Sequence, residues 1–201
     1  MSNVSPCPVG YRNLAESYLS CVRQLTEDLK RRRLILGFDA PLYALLAHSF
    51  ELATKAQLLL NGYSMDHLEK EVRHNLLRAF EDLKRVSPGL CAQTEQHVLT
   101  EWRHTLRQLR DVFQSNFVDF GISDPKTLED LGVHSDNTIE RELPKLSRDL
   151  AWLSNRHMKG GSQFRYLVTG PDQRQHIRAF GIDEHTDLKS VTWATEYLIE
   201  N

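Results

Sequence analysis

The chain reads as mainly α: an up-and-down bundle of four or five helices to about residue 158, then a small β-hairpin and a closing helix. Three observations predict this. Apolar residues recur at three- and four-residue steps through most of the first 155 positions. One of these stretches is apolar on nearly its whole circumference, the pattern of a helix at the centre of a bundle. The texture then changes at Gly160-Gly161, after which strand-forming residues flank a turn.

Taken in order, Leu14, Tyr18, Val22, Leu25 and Leu29 form the first stripe, with Glu16, Arg23, Glu27 and Lys30 between them. Arg31 to Arg33 end it, cations suited to a helix C-terminus and read as a solvated end. Asp39 and Pro41 start the second helix. Leu42, Leu45, Leu46, Phe50, Leu52, Ala53, Leu58, Leu59 and Leu60 cover most of its surface, and Asn61-Gly62 closes it. Tyr63 to Arg73 is polar and predicts a short helical turn capped by Ser64. Leu76, Leu77, Phe80 and Leu83 form a third stripe, stopped by Ser87-Pro88-Gly89. A fourth starts near Thr94 and carries Val98, Leu99, Trp102, Leu106, Leu109, Val112 and Phe113. Phe117 to Val133 reads as a loop, and a fifth helix spans about Thr138 to Asn155, bent or restarted by Pro144. Phe164 to Thr169 and Gln175 to Phe180 pair as a hairpin around Gly170-Pro171-Asp172, and Leu188, Val191, Ala194 and Leu198 mark the last helix. Two units follow: residues 1–158, the helical bundle, and residues 159–201, the hairpin and final helix packed on it.

Composition narrows the function. With 201 residues, 40% hydrophobic and 26% charged, the chain can bury a core without disulfide staples. A net charge of −2 provides no global field for nucleic acid, so DNA is not expected and RNA would need a local patch. Cys7, Cys21 and Cys91 are too few and too scattered for a disulfide framework or a metal clip. The longest purely apolar run, Leu42 to Ala47, is far short of a membrane span, and no signal-peptide pattern is visible. The expectation is a cytoplasmic protein without membrane contact.

No metal or cofactor is expected. There is no HExxH, and His97 and His104, seven apart, read as solvated or packed residues. No GxSxG elbow or phosphate loop is present; Lys159-Gly160-Gly161-Ser162 is a linker. Two local features stand out. Glu51 and Lys55 form an i, i+4 pair inside the most apolar helix, expected at its rim or facing a groove. Arg73-His74-Asn75 leads into the third stripe, where an imidazole can cap the helix or make a buried hydrogen bond.

Those features carry a resemblance. Phe50 to Gly62, with Glu51-x-x-x-Lys55-x-x-Leu58, then Arg73-His74-Asn75-Leu76, resembles the HEPN superfamily, and Phe164-Arg165-Tyr166 is similar to a strand start in many such proteins. The resemblance covers about residues 11 to 167. It implies a HEPN-like bundle that forms homodimers and acts in toxin–antitoxin or phage-defence systems, with RNA or a nucleotidyltransferase-like protein as partner. It implies a cleft containing Glu51, Lys55, Asn75, Arg165 and Tyr166 as binding residues, with His74 and Arg73 as the catalytic candidates. Active relatives carry an arginine, four to six residues, then a histidine near the start of the last bundle helix. Here only Arg178 and His185 have that spacing, and they fall outside the bundle, so the resemblance supports the scaffold more than the nuclease. The leading expectation is an RNA- or partner-binding module. The alternatives are a metal-independent endoribonuclease and a purely structural dimerisation module.

Overall fold

A helix apolar on every side needs neighbours on every side, and the chain is arranged around one. The computed structural model describes residues 7–32, 39–131, 133, 135–141, 143–158 and 188–201. The described residues are mainly helical, with no strand among them. Helix α2 (Asp39–Leu60) is the axis. Helices α1 (Pro8–Arg32), α4 (Leu76–Val86), α8 (Leu146–Met158) and α9 (Lys189–Glu200) all pack on it. Leu46, Ala47, Phe50, Ala53 and Leu58 of α2 are buried in one continuous core with Leu19, Leu76, Leu83, Leu150, Leu153, Val191 and Leu198. Burial of each large aliphatic side chain is worth ~1.5–3 kcal/mol, so this cluster dominates the stability.

Polar ties set the helix register. Ser49 Oγ donates to the Ala15 carbonyl at 2.6 Å, joining α2 to α1. Gln57 Nε2 donates to the Leu198 carbonyl at 2.8 Å, and Ser190 Oγ donates to Asp149 Oδ2 at 2.7 Å, so α9 is fastened to α2 and α8. The four apolar residues assigned to the last helix, Leu188, Val191, Ala194 and Leu198, are all buried.

The first stripe needs correction. The buried face of α1 is Ala15, Leu19 and Val22, and Leu14 is 54% exposed. Alanine contributes little to a stripe of large residues, yet it is the residue that lets α1 approach α2 where Ser49 reaches the Ala15 carbonyl. Asn61-Gly62 ends α2 as expected: Gly62 has φ +86°, and the Tyr63 N–H bonds the Leu58 carbonyl at 3.0 Å.

After it come the short helix α3 (Met65–His67), capped by Ser64, and a π-turn over Leu68–Val72. Ser87 closes α4, but α5 (Pro88–Asp119) begins at once with Pro88 in its first turn, earlier than the stripe from Thr94 indicates. It runs 32 residues, past the expected loop start at Phe117. The rest of that loop contains α6 (Pro125–Asp130), whose cap is Asp124, accepting from the Thr127 N–H at 2.8 Å. The expected fifth helix is two: α7 (Asp136–Arg141) and α8, with Pro144 between them. The expected β-hairpin, with Arg165, Tyr166, Arg178 and His185, lies outside the described residues. No helix among the described residues is long and apolar enough to cross a membrane.

Candidate functional site: a buried carboxylate among three histidines

Glu51 and Lys55 were expected at the rim of the helix or facing a groove, and the structure corrects the rim placement: they are only 5% and 9% exposed. The reason is that α2 is covered where they project, by α8 and by the turn before α4. On α2, His48, Glu51 and Lys55 fall at i, i+3 and i+7, one helix face. Lys55 Nζ donates to Glu51 Oε1 at 2.6 Å. The other oxygen, Oε2, faces two imidazoles. His157 Nε2 from α8 is 3.0 Å away, and His74 Nδ1 is also 3.0 Å away. An ionised carboxylate only accepts, so each ring nitrogen facing it is the one that carries a proton.

Local structure explains how His74 arrives there. The π-turn ends with the Arg73 N–H on the Leu68 carbonyl at 2.8 Å. Arg73 then adopts φ +50°, the left-handed region that non-glycine residues avoid, and the chain reverses sharply. That reversal swings His74 over the α2 face. Asn75, not His74, caps α4: its Oδ1 accepts from the Arg78 N–H at 3.0 Å and from Ser154 Oγ at 3.2 Å. Ser154 in turn accepts from the Leu76 N–H, so the cap and the first residue of α4 are both anchored to α8.

Burial is the largest single influence on Glu51 and pushes its carboxyl up. The hydrogen bond from His157, the charge and hydrogen bond of Lys55, and the hydrogen bond from His74 together outweigh it and bring the value down to about 2. The carboxylate is therefore a fixed buried anion at neutral pH. It reaches beyond its direct partners: burial raises the Tyr11 phenol, and the negative charges of Glu69 and Glu51 raise it further. The rings around the anion are stacked in series. Tyr18 lies against His48 with centroids 5.7 Å apart, and His48 meets His157 edge-on at 4.7 Å. His157 meets His74 edge-on at 5.5 Å.

The structure thus brings Glu51, Lys55 and His74 together, with Asn75 beside them as a cap. The Arg73 side chain is exposed, with Nε on the Lys70 carbonyl at 3.1 Å, and among the described residues it makes no ion pair. Two cluster residues were missed. His48 was detectable, because it stands three residues before Glu51 on the same helix face. His157, 106 residues downstream of Glu51, left no local signal.

Chemically, the arrangement offers two things. The His74 side chain is 59% exposed while its Nδ1 is held by the buried anion, so its other nitrogen is directed outward. Deeper in, His48, Glu51 and His157 each present a ligand-type atom, all within 4.8 Å of one another. Comparison of the chain with protein-family models, with curated proteins and with solved structures gives no match.

Proposed function

We propose that the chain is a HEPN-like cytoplasmic module, homodimeric and of the toxin–antitoxin or phage-defence kind, that engages RNA at the surface formed by His74 and Arg73. The observation that carries this reading is the Glu51–His74 hydrogen bond, 3.0 Å from a buried anion to a largely exposed imidazole. A carboxylate that accepts the hydrogen bond of Nδ1–H fixes the tautomer and leaves the Nε2 lone pair at the surface. Arg73 sits next in sequence with an exposed guanidinium, the group suited to a phosphate oxygen. Lys55 keeps Glu51 ionised from behind and does not itself face the RNA.

The same hydrogen bond favours a second reading, cleavage without a metal. His74 Nε2 would take the proton of a ribose 2′-hydroxyl while the 2′-oxygen bonds to the adjacent phosphorus. The bond from phosphorus to the 5′-oxygen would break, and that oxygen would take a proton from solvent. The products would be a 2′,3′-cyclic phosphate and a 5′-hydroxyl. Glu51 orients the base, and Arg73 steadies the charge building on the phosphate.

One experiment separates the readings. Purified protein is mixed with end-labelled single-stranded RNA in EDTA and followed by gel shift and by product size. A salt-sensitive shift that weakens on Arg73→Ala, with intact RNA, identifies the binding module. Cleavage that falls by about 100-fold or more on His74→Ala, with an unchanged melting curve, identifies the enzyme. No shift at low salt removes RNA from the account and leaves a module that binds a protein partner or a structural dimer.

A further inference from the structure

We infer that His48, Glu51 and His157 form a site for a divalent transition ion of the zinc class. The inference does not depend on whether His74 handles RNA. Two imidazoles and one carboxylate are a zinc-type donor set, whereas magnesium or calcium would call for oxygens throughout. The spacing fits. Around a tetrahedral ion with bonds of ~2.0–2.2 Å, neighbouring donor atoms stand roughly 3.3–3.6 Å apart. Here His157 Nε2 and Glu51 Oε2 are 3.0 Å apart, and all three donor atoms fall within 4.8 Å of one another. A small opening of the first pair and a small inward turn of His48 complete the triangle.

The surroundings are those of a prepared site. His48 and Glu51 are three residues apart on one face of α2, so their separation is set by a rigid helix. His157 is buried and comes from α8, and Ser154, one turn earlier on the same helix, ties α8 to the α4 cap. Tyr18 stacks on His48 and limits its rotation. Lys55 occupies Oε1 and supplies the outer hydrogen bond that ligating carboxylates usually have; at Oε2 the ion would take the place of the proton on His157 Nε2, and the second lone pair of that oxygen would still accept from His74 Nδ1. The ammonium of Lys55 opposes a second cation nearby, so the expected affinity is below that of a closed structural zinc site.

The test uses the full chain carrying Cys7→Ser and Cys21→Ser, because both thiols are exposed and a thiolate is a zinc ligand in its own right. The protein is stripped with chelator, dialysed, and titrated with zinc by calorimetry and with cobalt by visible absorption. The expected result is one ion per chain and a tetrahedral cobalt spectrum. His48→Ala, and the milder His48→Gln in case the alanine variant folds poorly, should each weaken binding by about tenfold or more. His97→Ala, a change on α5 where the ring lies against Tyr197, should leave binding unchanged. No binding by the parent protein, or equal binding by parent and both His48 variants, overturns the site.

Discussion

Glu51 and Asp82 are both buried acids ringed by bases, yet their surroundings differ. Asp82, on α4, accepts from Arg85 Nη1 at 2.7 Å and lies 3.9 Å from Arg78 Nε and 3.5 Å from His67 Nε2. Those partners are largely in water: the Arg85 side chain is 70% exposed and that of Arg78 46%. Glu51 has two partners inside the protein with it, since the Lys55 side chain is only 11% exposed and that of His157 6%. Losing Asp82 leaves arginines that turn to solvent. Losing Glu51 leaves an ammonium and an imidazole N–H with nothing to bond and nowhere to go. A buried carboxylate therefore marks a special place only when its partners are buried too.

The largest expected effect tests this directly. Glu51→Ala should cost ~3–5 kcal/mol, because an unpaired buried charge remains. Asp82→Ala should cost about 1–2 kcal/mol, the loss of hydrogen bonds whose donors rehydrate. Urea melts of the two variants are the measurement, and equal losses would break the contrast. The double change Glu51→Leu with Lys55→Met should recover part of the loss by removing both charges together. The recovery should be incomplete, because His157 Nε2 still lacks its acceptor.

The acid limb of stability comes next. With the Glu51 carboxyl lowered from an ordinary 4.5 to about 2, the folded state holds its proton less tightly than the unfolded chain. Its contribution is complete above about pH 4.5 and is lost as pH falls through about 2. The size is about 3 kcal/mol at 1.36 kcal/mol per pH unit. With chelator present, the urea midpoint of the wild-type protein should fall across that window, and Glu51→Gln should flatten the fall. An unchanged acid limb in Glu51→Gln would mean that Glu51 does not carry it.

The same contrast shows how much the sequence could say. The central place of α2 was legible because apolar residues surround it, and the last helix because Leu188, Val191, Ala194 and Leu198 repeat at helical spacing. Which sector of α2 has polar company was not legible. Glu51 sits on a helix apolar all round, and its burial depends on His157, a residue with no sequence pattern linking it to α2. The pairing of Glu51, Lys55 and His74 came through because a short motif brought those residues to attention, while Arg165 and Tyr166 lie outside the described residues. The extent of α5 was misread for a local reason. Ser87-Pro88-Gly89 reads as a stop, but proline in a first turn also starts a helix, and here it does both.

A smaller effect with the opposite sign is expected one residue before His74. Arg73 holds φ +50° without the freedom of glycine. Arg73→Gly should therefore stabilise the fold by about 1 kcal/mol or slightly less. Its Nε hydrogen bond to the Lys70 carbonyl is exposed and subtracts little. A gain in melting temperature combined with weaker RNA retention would show strain kept at the surface for a contact. A loss of stability would show that the guanidinium, rather than the backbone, holds the turn.

The smallest effect concerns a third kind of buried polar group, one with no partner. The Trp102 indole Nε1 is buried without an acceptor among the described residues, and its ring meets Trp193 edge-on at 6.2 Å. Trp102→Phe removes the orphaned N–H, which favours the variant, and removes ring area packed on α9, which disfavours it. The two terms are similar in size, so the melting curve should move by no more than about 1 kcal/mol in either direction. A loss above 2 kcal/mol would mean that the indole N–H has a partner after all. Trp102 would then belong with Glu51, as a buried polar group held by buried company, and α5 would be fastened to the bundle by more than its apolar face.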